Sequence, residues 1–177
     1  MSIFQQLNEA AAAKGLRFIV IGGHAVISHG YQRATEDIDI LVDKDDRLHW
    51  KVLVEELGYR LGNDGGTFLQ FNPTDETHWD LDIMLVPGET FRRLFDEARS
   101  VQIEASSVRF PSLEYLLALK IHALRNSTGL RVLKDSDDVA QLLVANQVDP
   151  RSDWVRTLFH KHGTLELHER IIKLATP

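Results

Sequence analysis

The sequence predicts an α+β (α/β) fold, in which a mixed β-sheet core with flanking helices, residues 1–110, is followed by a C-terminal helical region, residues 111–177, packed on the core. Two observations lead to this prediction. Acidic and aliphatic residues alternate in residues 36–42 and 79–86, as they do in strands with one polar and one apolar face. After residue 110 the apolar pattern has the period of helices only, so a sheet-forming part precedes a helical part.

The first segments alternate between helix and strand. An alanine-rich helical pattern over residues 4–14 stops at Gly15, a residue type common at helix ends. The β-branched run of residues 17–21 predicts a short buried strand. A short helix over residues 24–29 follows and is closed by Gly30.

The central segments add one helix and two strands. The alternating residues 36–42 form a strand, and a helix over residues 45–57 follows it and is capped by Gly58. The Asn-Asp-Gly-Gly run of residues 63–66 predicts a turn, which separates this helix from a strand over residues 67–71.

The sheet-forming part ends with four more elements. Residues 79–86 form the second strand of alternating acids and aliphatics, and the turn at Pro87-Gly88 ends it. A helix over residues 90–98 follows. Two short extended pieces cover residues 101–104 and 108–110.

Helices alone occupy the rest of the chain. Pro111 is suited to a first helical turn, where its missing N–H costs nothing. The predicted helices cover residues 112–126, 133–146, 153–162 and 165–174.

The composition excludes several classes of protein. The chain has 177 residues, and its 20 Lys and Arg against 26 Asp and Glu give a formal net charge of −6, which argues against general DNA binding. The absence of cysteine excludes a disulfide scaffold and cysteine-ligated zinc. No segment has the roughly 18 consecutive apolar residues of a membrane span, and the first residues lack the pattern of a signal peptide. We therefore expect a cytoplasmic protein with no membrane partner.

Two acidic pairs are the most informative motifs. Asp37 and Asp39 lie two apart in a predicted strand, so they share a face with Cα atoms about 6 to 7 Å apart. Carboxylates so placed repel each other unless a cation lies between them, and Mg²⁺ or Mn²⁺ suits oxygen ligands. Asp80 and Asp82 repeat the pattern, and we favour Asp82 as the third ligand because it leads into an apolar run. Three carboxylates favour a two-metal site for phosphoryl or nucleotidyl transfer.

A diglycine precedes the first acidic pair. Gly22 and Gly23 follow a buried strand and precede a helix, where small residues allow backbone N–H groups to approach a phosphate. Arg33 and Thr35 add a charge and a hydroxyl just before the acidic strand. His24 is more simply explained as a residue at the start of a helix.

A lysine interrupts an apolar helix face. Lys120 lies in the middle of the face formed by Leu113, Leu116, Leu117, Ile121 and Leu124. A lysine at such a position meets an anion, such as a carboxylate of the acidic cluster or a nucleotide phosphate, or it extends its amine to the edge of the interface. A structural role, as a salt-bridged or edge-extended lysine, and a functional role are equally expected. Lys134, Asp135 and Asp138 extend the same site or, more simply, form a helix start with an i,i+4 ion pair.

Other charged residues have structural interpretations. A single acidic pair on a strand is more often a solvated face than a metal site, and the second pair together with the diglycine reverses that preference. His160 and His162 do not share a helix face and are interpreted as surface residues. Asp43, Asp45 and Asp46 lack the other ligands of a calcium loop and are interpreted as a charged loop with a helix cap.

These motifs together resemble a known superfamily. The run IGGHAVISHGYQRATEDIDILV, the lysine of YLLALK and the later K-D-x-x-D are similar to nucleotidyltransferases of the DNA polymerase β type. The chain looks most like the small bacterial branch that contains the AbiEii-like abortive-infection toxins. The resemblance covers roughly residues 16–143, and the motif set is more specific than any single element.

The resemblance implies roles for the candidate residues. Asp37 and Asp39 would bind Mg²⁺ (or Mn²⁺), and Asp82 would complete the site and help to activate the acceptor hydroxyl. The predicted catalytic residues are Asp37, Asp39, Asp82 and Lys120, of which the three aspartates are also the predicted metal ligands. The predicted nucleotide-binding residues are Gly22, Gly23, Arg33, Thr35, Lys134 and Asp135, of which Asp135 would support the lysine.

The expected activity is transfer of a nucleoside monophosphate from an NTP to an acceptor hydroxyl, with release of pyrophosphate. The acceptor is a tRNA end, a protein side chain or a small molecule. The family resemblance adds the expectation of a toxin with a cognate antitoxin. The alternative is a catalytically inactive nucleotide-binding or partner-binding module on the same fold.

Overall fold

The structure is a computed structural model that describes residues 2–75, 79–103 and 106–176. It divides the chain into two compact units. One comprises Met1–Ala25 with Ala34–Ser112, and the other comprises Val26–Arg33 with Leu113–Pro177. No helix in the described part of the chain is long and apolar enough to cross a membrane.

The first unit contains the strands and the helices between them. Its elements are α1 (Ile3–Ala13), β1 (Phe18–Val20), the start of α2 (Gly22–Ser28), β2 (Asp37–Asp43), a 3₁₀ turn (Lys44–Asp46), α3 (Arg47–Glu56), β3 (Tyr59–Asp64), β4 (Phe68–Pro73), β5 (Asp80–Val86), α4 (Gly88–Glu97), β6 (Arg99–Ile103) and β7 (Ser106–Phe110).

Five of these strands form a mixed sheet in the order β1-β2-β5-β4-β3. The β2–β5 pair is parallel, and the other three pairs are antiparallel. β6 and β7 form a separate antiparallel hairpin. The predicted fold class, a mixed sheet with flanking helices, is therefore confirmed.

The alternation of the sequence becomes two different faces of the sheet. Ile38 of β2, Leu81 of β5 and Phe71 of β4 are neighbours in the register, and all three are buried. Burying side chains of this size contributes roughly 1.5 to 3 kcal/mol each. The residues that alternate with them, such as Asp39 and Asp82, lie on the opposite face.

The charged loop after β2 is a helix cap, as predicted. The Asp43 carboxylate accepts a hydrogen bond from the backbone N–H of Asp45 at 3.0 Å. The predicted helix over residues 45–57 is divided into the 3₁₀ turn and α3. The cap satisfies one of the N–H groups that a helix start leaves without a partner.

Strand β3 was not predicted, and it is an edge strand. Its residues alternate poorly, and Tyr59 is its one buried member. The predicted turn over residues 63–66 is therefore partly wrong, because Asn63 and Asp64 belong to β3. The predicted piece 101–104 corresponds to β6, and its last residue lies outside the described residues.

The second unit is helical. Besides residues 26–33 it contains α5 (Leu113–Asn126), α6 (Arg131–Ala145), α7 (Asp153–His162) and α8 (Leu165–Ala175), which confirms all four predicted helices. Its buried side chains include Ile121, Leu142, Leu143, Phe159 and Ile171. The apolar face predicted around Lys120 is buried at Leu116, Leu117, Ile121 and Leu124.

Candidate functional site

The two acidic pairs lie side by side on one face of the sheet. β2 and β5 are parallel neighbours, with Asp37 opposite Asp80 and Asp39 opposite Asp82. Register partners in a parallel pair project to the same face, and so do residues two apart in a strand. The structure therefore places all four aspartates on one face of the sheet.

Asp82 has a strongly perturbed environment. Burial, and then the negative charge of Asp39, raise the pKa of the Asp82 carboxyl to about 6 from its ordinary 3.8. Asp37 and Asp80 raise it further, and a hydrogen bond from the Gln70 side chain acts in the opposite direction. Asp82 is therefore a carboxylate held close to like charge, an arrangement that a cation would relieve.

Asp80 has a different environment from Asp82. It is exposed, and its carboxylate accepts a hydrogen bond from the Asn72 amide at 3.2 Å. The burial of Asp82 next to Asp39 agrees with the preference for Asp82 over Asp80. The choice between them as a ligand stays a prediction.

Gly22 packs directly against the acidic strand. A Cβ atom built on Gly22 would lie 1.8 Å from Asp39 Oδ2, and the backbone φ of Gly22 is +61°. The N–H of Ile21 donates to the carbonyl of Asp39 at 2.9 Å, which fixes the chain at this point. Only glycine combines this close approach with this backbone conformation.

Thr35, Gly23 and His24 are the other candidate residues next to Asp37 and Gly22 in the sequence. Thr35 donates from Oγ1 to Asp37 Oδ1 at 2.7 Å, so the predicted hydroxyl reaches the acidic strand. Gly22 and Gly23 are the first residues of α2, whereas the prediction placed them before the helix. The ring of His24 lies 5.0 Å from that of Phe4 and 5.4 Å from that of Trp79, so His24 is part of an aromatic cluster.

Lys120 meets an anion within the second unit. Its Nζ lies 2.7 Å from Asp138 Oδ2 and 3.9 Å from Asp135 Oδ1. The side chain of Asp138 is 1% exposed, and Arg33 also reaches it, with Nε 2.7 Å from Oδ1. A buried carboxylate between two cations is electrostatically compensated. The interpretation of Asp138 as the ion-pair partner of Lys134 is therefore replaced by pairing with Lys120 and Arg33.

The other members of the motif on α6 differ in burial. Asp135 is buried and accepts a hydrogen bond from Ser127 Oγ at 2.6 Å, whereas Lys134 is exposed. Tyr31 donates to the carboxylate of Asp137, and this hydrogen bond is the main cause of the raised pKa of the Tyr31 phenol. The structure therefore groups Arg33, Lys120 and Asp135 in the second unit, and the sheet acids with Gly22 and Thr35 in the first.

The sheet acids offer the oxygen donors that Mg²⁺ or Mn²⁺ prefers. Asp39 and Asp82 are neighbours, and after burial the negative charge of Asp39 is the next cause of the raised pKa of the Asp82 carboxyl. Within residues 2–75, 79–103 and 106–176, no three His, Cys, Asp or Glu side chains converge enough to hold a metal ion. The carboxylate oxygens of Asp39 and Asp82 fit a cation that takes water or phosphate as its other ligands. The predicted two-metal site stays a prediction.

Gln70, which hydrogen-bonds to Asp82 from the neighbouring strand, was not predicted as a site residue. Its strand was predicted from residues 67–71, but which residue stands opposite Asp82 depends on the pairing register. The register is a tertiary feature that local alternation does not specify. No signal in the sequence indicated Gln70.

One protein family matches nearly the whole chain. The family is described as uncharacterised nucleotidyltransferases, and the match covers residues 1–176. A search of curated protein sequences found no match to this chain.

Solved structures similar to this chain share its fold at low sequence identity. ANT(2″)-Ia in complex with adenylyl-2″-tobramycin is 17% identical, with a TM-score of 0.64 over 90% of this chain and 96% of that chain. An antigenic nucleotidyltransferase-like protein from Paracoccidioides brasiliensis is 14% identical, with a TM-score of 0.58 over 96% of this chain and 90% of that chain. The lincomycin-bound lincosamide antibiotic adenylyltransferase LnuA is 16% identical, with a TM-score of 0.56 over 78% of this chain and 94% of that chain.

Proposed function

The chain belongs to this family of uncharacterised nucleotidyltransferases, and from that premise we propose that it transfers a nucleoside monophosphate from an NTP to an acceptor hydroxyl, releasing pyrophosphate. One observation carries the proposal. The parallel register of β2 and β5 sets Asp39 beside Asp82, with Gly22 packed on Asp39 Oδ2. This arrangement suits the binding of a cation and of an anionic substrate at one place.

Asp39 and Asp82 would hold the cation directly, and Asp37 would contact it through a bound water. A bound Mg²⁺ or Mn²⁺ would neutralise charge on the phosphate oxygens as the α-phosphorus is attacked. Thr35 orients Asp37 through its hydrogen bond. Gly22 and Gly23, which carry no side chains, would let the triphosphate approach the backbone beside Asp39.

Asp82 is the proposed acceptor of the proton. In the transfer, the acceptor oxygen forms a bond to the α-phosphorus, the bond from that phosphorus to the pyrophosphate oxygen breaks, and the hydroxyl proton passes to the Asp82 carboxylate. The position of Asp82 beside Asp39 in the parallel register supports this role, because a base has to lie within reach of the proton that it abstracts.

We assign Lys120, Arg33 and Lys134 to phosphate or acceptor contacts and Asp135 to the support of Lys120. Lys120 and Arg33 are held by Asp138, which fixes the position of their charges within the second unit. A lysine whose amine is anchored in this way loses little side-chain freedom on meeting an anion.

For the acceptor, we propose a hydroxyl of a small molecule ahead of a tRNA end or a protein side chain. Support comes from two structures of the same fold, one holding adenylyl-2″-tobramycin and the other being an antibiotic adenylyltransferase. A role as a toxin of the AbiEii-like branch, neutralised by an antitoxin, is the second proposal for its biology. Harmless overexpression without a neighbouring gene product would count against that role.

Thermal unfolding with each of the four NTPs, with and without Mg²⁺, tests the nucleotide site. A ligand at 100 times its Kd stabilises the native state by about 2.7 kcal/mol, which raises the Tm of a chain of this size by roughly 5 to 10 °C. Asp39→Asn should abolish the Mg²⁺-dependent shift, whereas Asp96→Asn, an exposed aspartate of α4, should keep it. If Asp39→Asn binds the NTP as wild type does, the carboxylates are not the metal site and the enzymatic proposal fails.

Transfer itself is tested with α-³²P-labelled NTP. Label should move to a small-molecule acceptor in a pool of hydroxylated compounds only when the divalent cation and Asp82 are both present. Metal-dependent NTP binding without transfer to a small molecule, a tRNA or a protein would favour the inactive binding module.

A further inference from the structure

A row of polar side chains crosses the sheet from β3 to β2 and includes Asp82. In the register, Asn63 of β3 stands opposite Gln70 of β4, Gln70 stands opposite Asp82 of β5, and Asp82 stands opposite Asp39 of β2. Register partners project to the same face of a sheet. The row therefore continues the acidic site across two strands that the proposed function does not use.

From this geometry we propose that Gln70 is a positioning residue, which fixes the Asp82 carboxylate through an amide whose orientation Asn63 sets. The proposal rests on the proposed function, since it assigns to Asp82 the role given above. Gln70 does not touch the reacting atoms in this scheme. It acts through the carboxylate to which it donates a hydrogen bond.

The orientation of the Gln70 amide follows from its two neighbours. Asn63 Nδ2 donates to Gln70 Oε1 at 3.2 Å, so the oxygen of the Gln70 amide faces Asn63. Its NH₂ group is then left to face Asp82. A carboxylate accepts from an amide nitrogen and is repelled by an amide oxygen. Asn63 thus selects the one of the two amide orientations that holds Asp82.

A β-bulge makes Asn63 the partner of Gln70. The pairing of β3 with β4 shifts between Leu61 and Asn63, so that Leu61 and Gly62 together stand opposite Phe71. A regular ladder would put Gly62, which has no side chain, opposite Gln70. Bulges beside functional sites commonly re-aim a side chain in this way.

The hydrogen bond matters because Asp82 lies beside Asp39. Without a donor on its other side, the Asp82 carboxylate is free to rotate away from the like charge. Residues that orient a metal-binding carboxylate typically change metal affinity 10-fold to 100-fold when they are substituted. The same range is expected for Gln70.

Binding of Mn²⁺ alone, followed by electron paramagnetic resonance, tests the proposal without knowledge of the acceptor. Gln70→Leu should weaken Mn²⁺ binding at least 10-fold, with an unchanged Tm because the side chain is exposed. Asn72→Leu is the matched control, since Asn72 is an exposed amide of the same strand that hydrogen-bonds to Asp80, and it should bind Mn²⁺ as wild type does.

A second variant tests the orientation of the amide. Asn63→Asp accepts a hydrogen bond where Asn63 donates one, so it should turn the Gln70 NH₂ away from Asp82 and weaken Mn²⁺ binding. A simple charge effect predicts the opposite, because an added acid nearby strengthens cation binding. In a Gln70→Leu background, Asn63→Asp should not weaken Mn²⁺ binding further, because Asn63 acts only through Gln70. If Asn63 had a merely structural role, Asn63→Asp would weaken binding in both backgrounds.

The outcomes separate this proposal from the proposed function. If Asp82→Asn abolishes Mn²⁺ binding and Gln70→Leu leaves it unchanged, the positioning role is wrong and the metal site stands. Equal weakening by Gln70→Leu and Asn72→Leu, or tighter binding by Asn63→Asp, would also overturn the positioning role. If wild type shows no Mn²⁺ binding that Asp82→Asn removes, both proposals are wrong.

Discussion

At the scale of single residues, the carboxylate of Asp82 should destabilise the protein when no cation is bound. Its pKa is about 6 in the folded chain and 3.8 ordinarily, so the folded state binds more protons between these values. The contribution of Asp82 to stability is therefore most favourable below about pH 4 and is lost as the pH rises through 6. The expected loss is about 1 to 3 kcal/mol, since the side chain is partly exposed.

Asp82→Asn tests this pH dependence. In urea unfolding with EDTA, the variant should be more stable than wild type by about 1 to 3 kcal/mol at pH 7.5 and nearly equal to it at pH 4. Asp96→Asn, far from the site in sequence and exposed, should follow wild type at both pH values. If Asp82→Asn is less stable than wild type at pH 7.5, the Asp82 carboxylate does not destabilise the cation-free protein by burial beside Asp39.

Gly22 offers a second prediction at this scale. Gly22→Ala places a Cβ 1.8 Å from Asp39 Oδ2 and adopts a φ of +61°, so it should cost both backbone strain and a displaced carboxylate. Gly15→Ala, at a φ of +67° with no atom within 4 Å of its Cβ, carries the backbone cost alone. Gly22→Ala should therefore lose more stability, by about 1 kcal/mol or more in urea unfolding, and should bind Mg²⁺·NTP more weakly.

The sequence predicted the site residues that depend on the periodicity of one strand, and it did not predict those that depend on contacts between distant segments. Asp37, Asp39 and Asp82 are visible because strand periodicity puts them on one face, and their apolar neighbours specify that face. Gln70 is not visible, because a side chain on β4 meets Asp82 only through the pairing of two strands. The partner of Asp138 was likewise misidentified, because Lys134 is close in sequence whereas Lys120 and Arg33 are close in space.

At the scale of elements, α5 and α6 are joined by a buried ion pair. Asp138 is 1% exposed on its side chain and lies 2.7 Å from Lys120 Nζ. Asp138→Asn removes this carboxylate from two cations and should cost about 3 to 5 kcal/mol of unfolding free energy. Asp137→Asn, an exposed neighbour bonded to Tyr31, should cost less than about 1 kcal/mol in the same denaturation measurement. If the two variants lose equal unfolding free energy, the burial of Asp138 does not explain its contribution to stability.

Helices were predicted more completely than strands, and β3 shows the reason. Its sequence, YRLGND, has one buried residue and a glycine at the bulge, so neither periodicity nor propensity indicates a strand. The hydrogen bonds to β4 supply what the local sequence lacks. In α5 to α8, by contrast, each helix carries enough apolar residues at helical spacing to be recognised alone.

At the scale of the whole molecule, the two compact units are not two consecutive pieces of the chain. Residues 26–33 belong to the helical unit, although they lie between two segments of the sheet unit. Their contacts there are specific: Arg33 pairs with Asp138, Tyr31 donates to Asp137, and the carbonyl of His29 accepts from Asn146 at 2.9 Å. Three polar contacts from one segment suggest that the helical unit depends on it.

A fragment of residues 113–177 should therefore be poorly folded. It retains Lys120 beside Asp138 but lacks Arg33, so the buried carboxylate loses one of its two cations. Joining residues 26–33 to this fragment through a flexible Gly-Ser linker should raise its helical content and Tm in circular dichroism, because the linker makes the association intramolecular. Arg33→Leu in the joined fragment should remove most of the gain, since that substitution leaves Asp138 as buried charge with Lys120 alone. Equal stability of the fragment with and without residues 26–33 would show that the helical unit forms from the C-terminal helices by themselves.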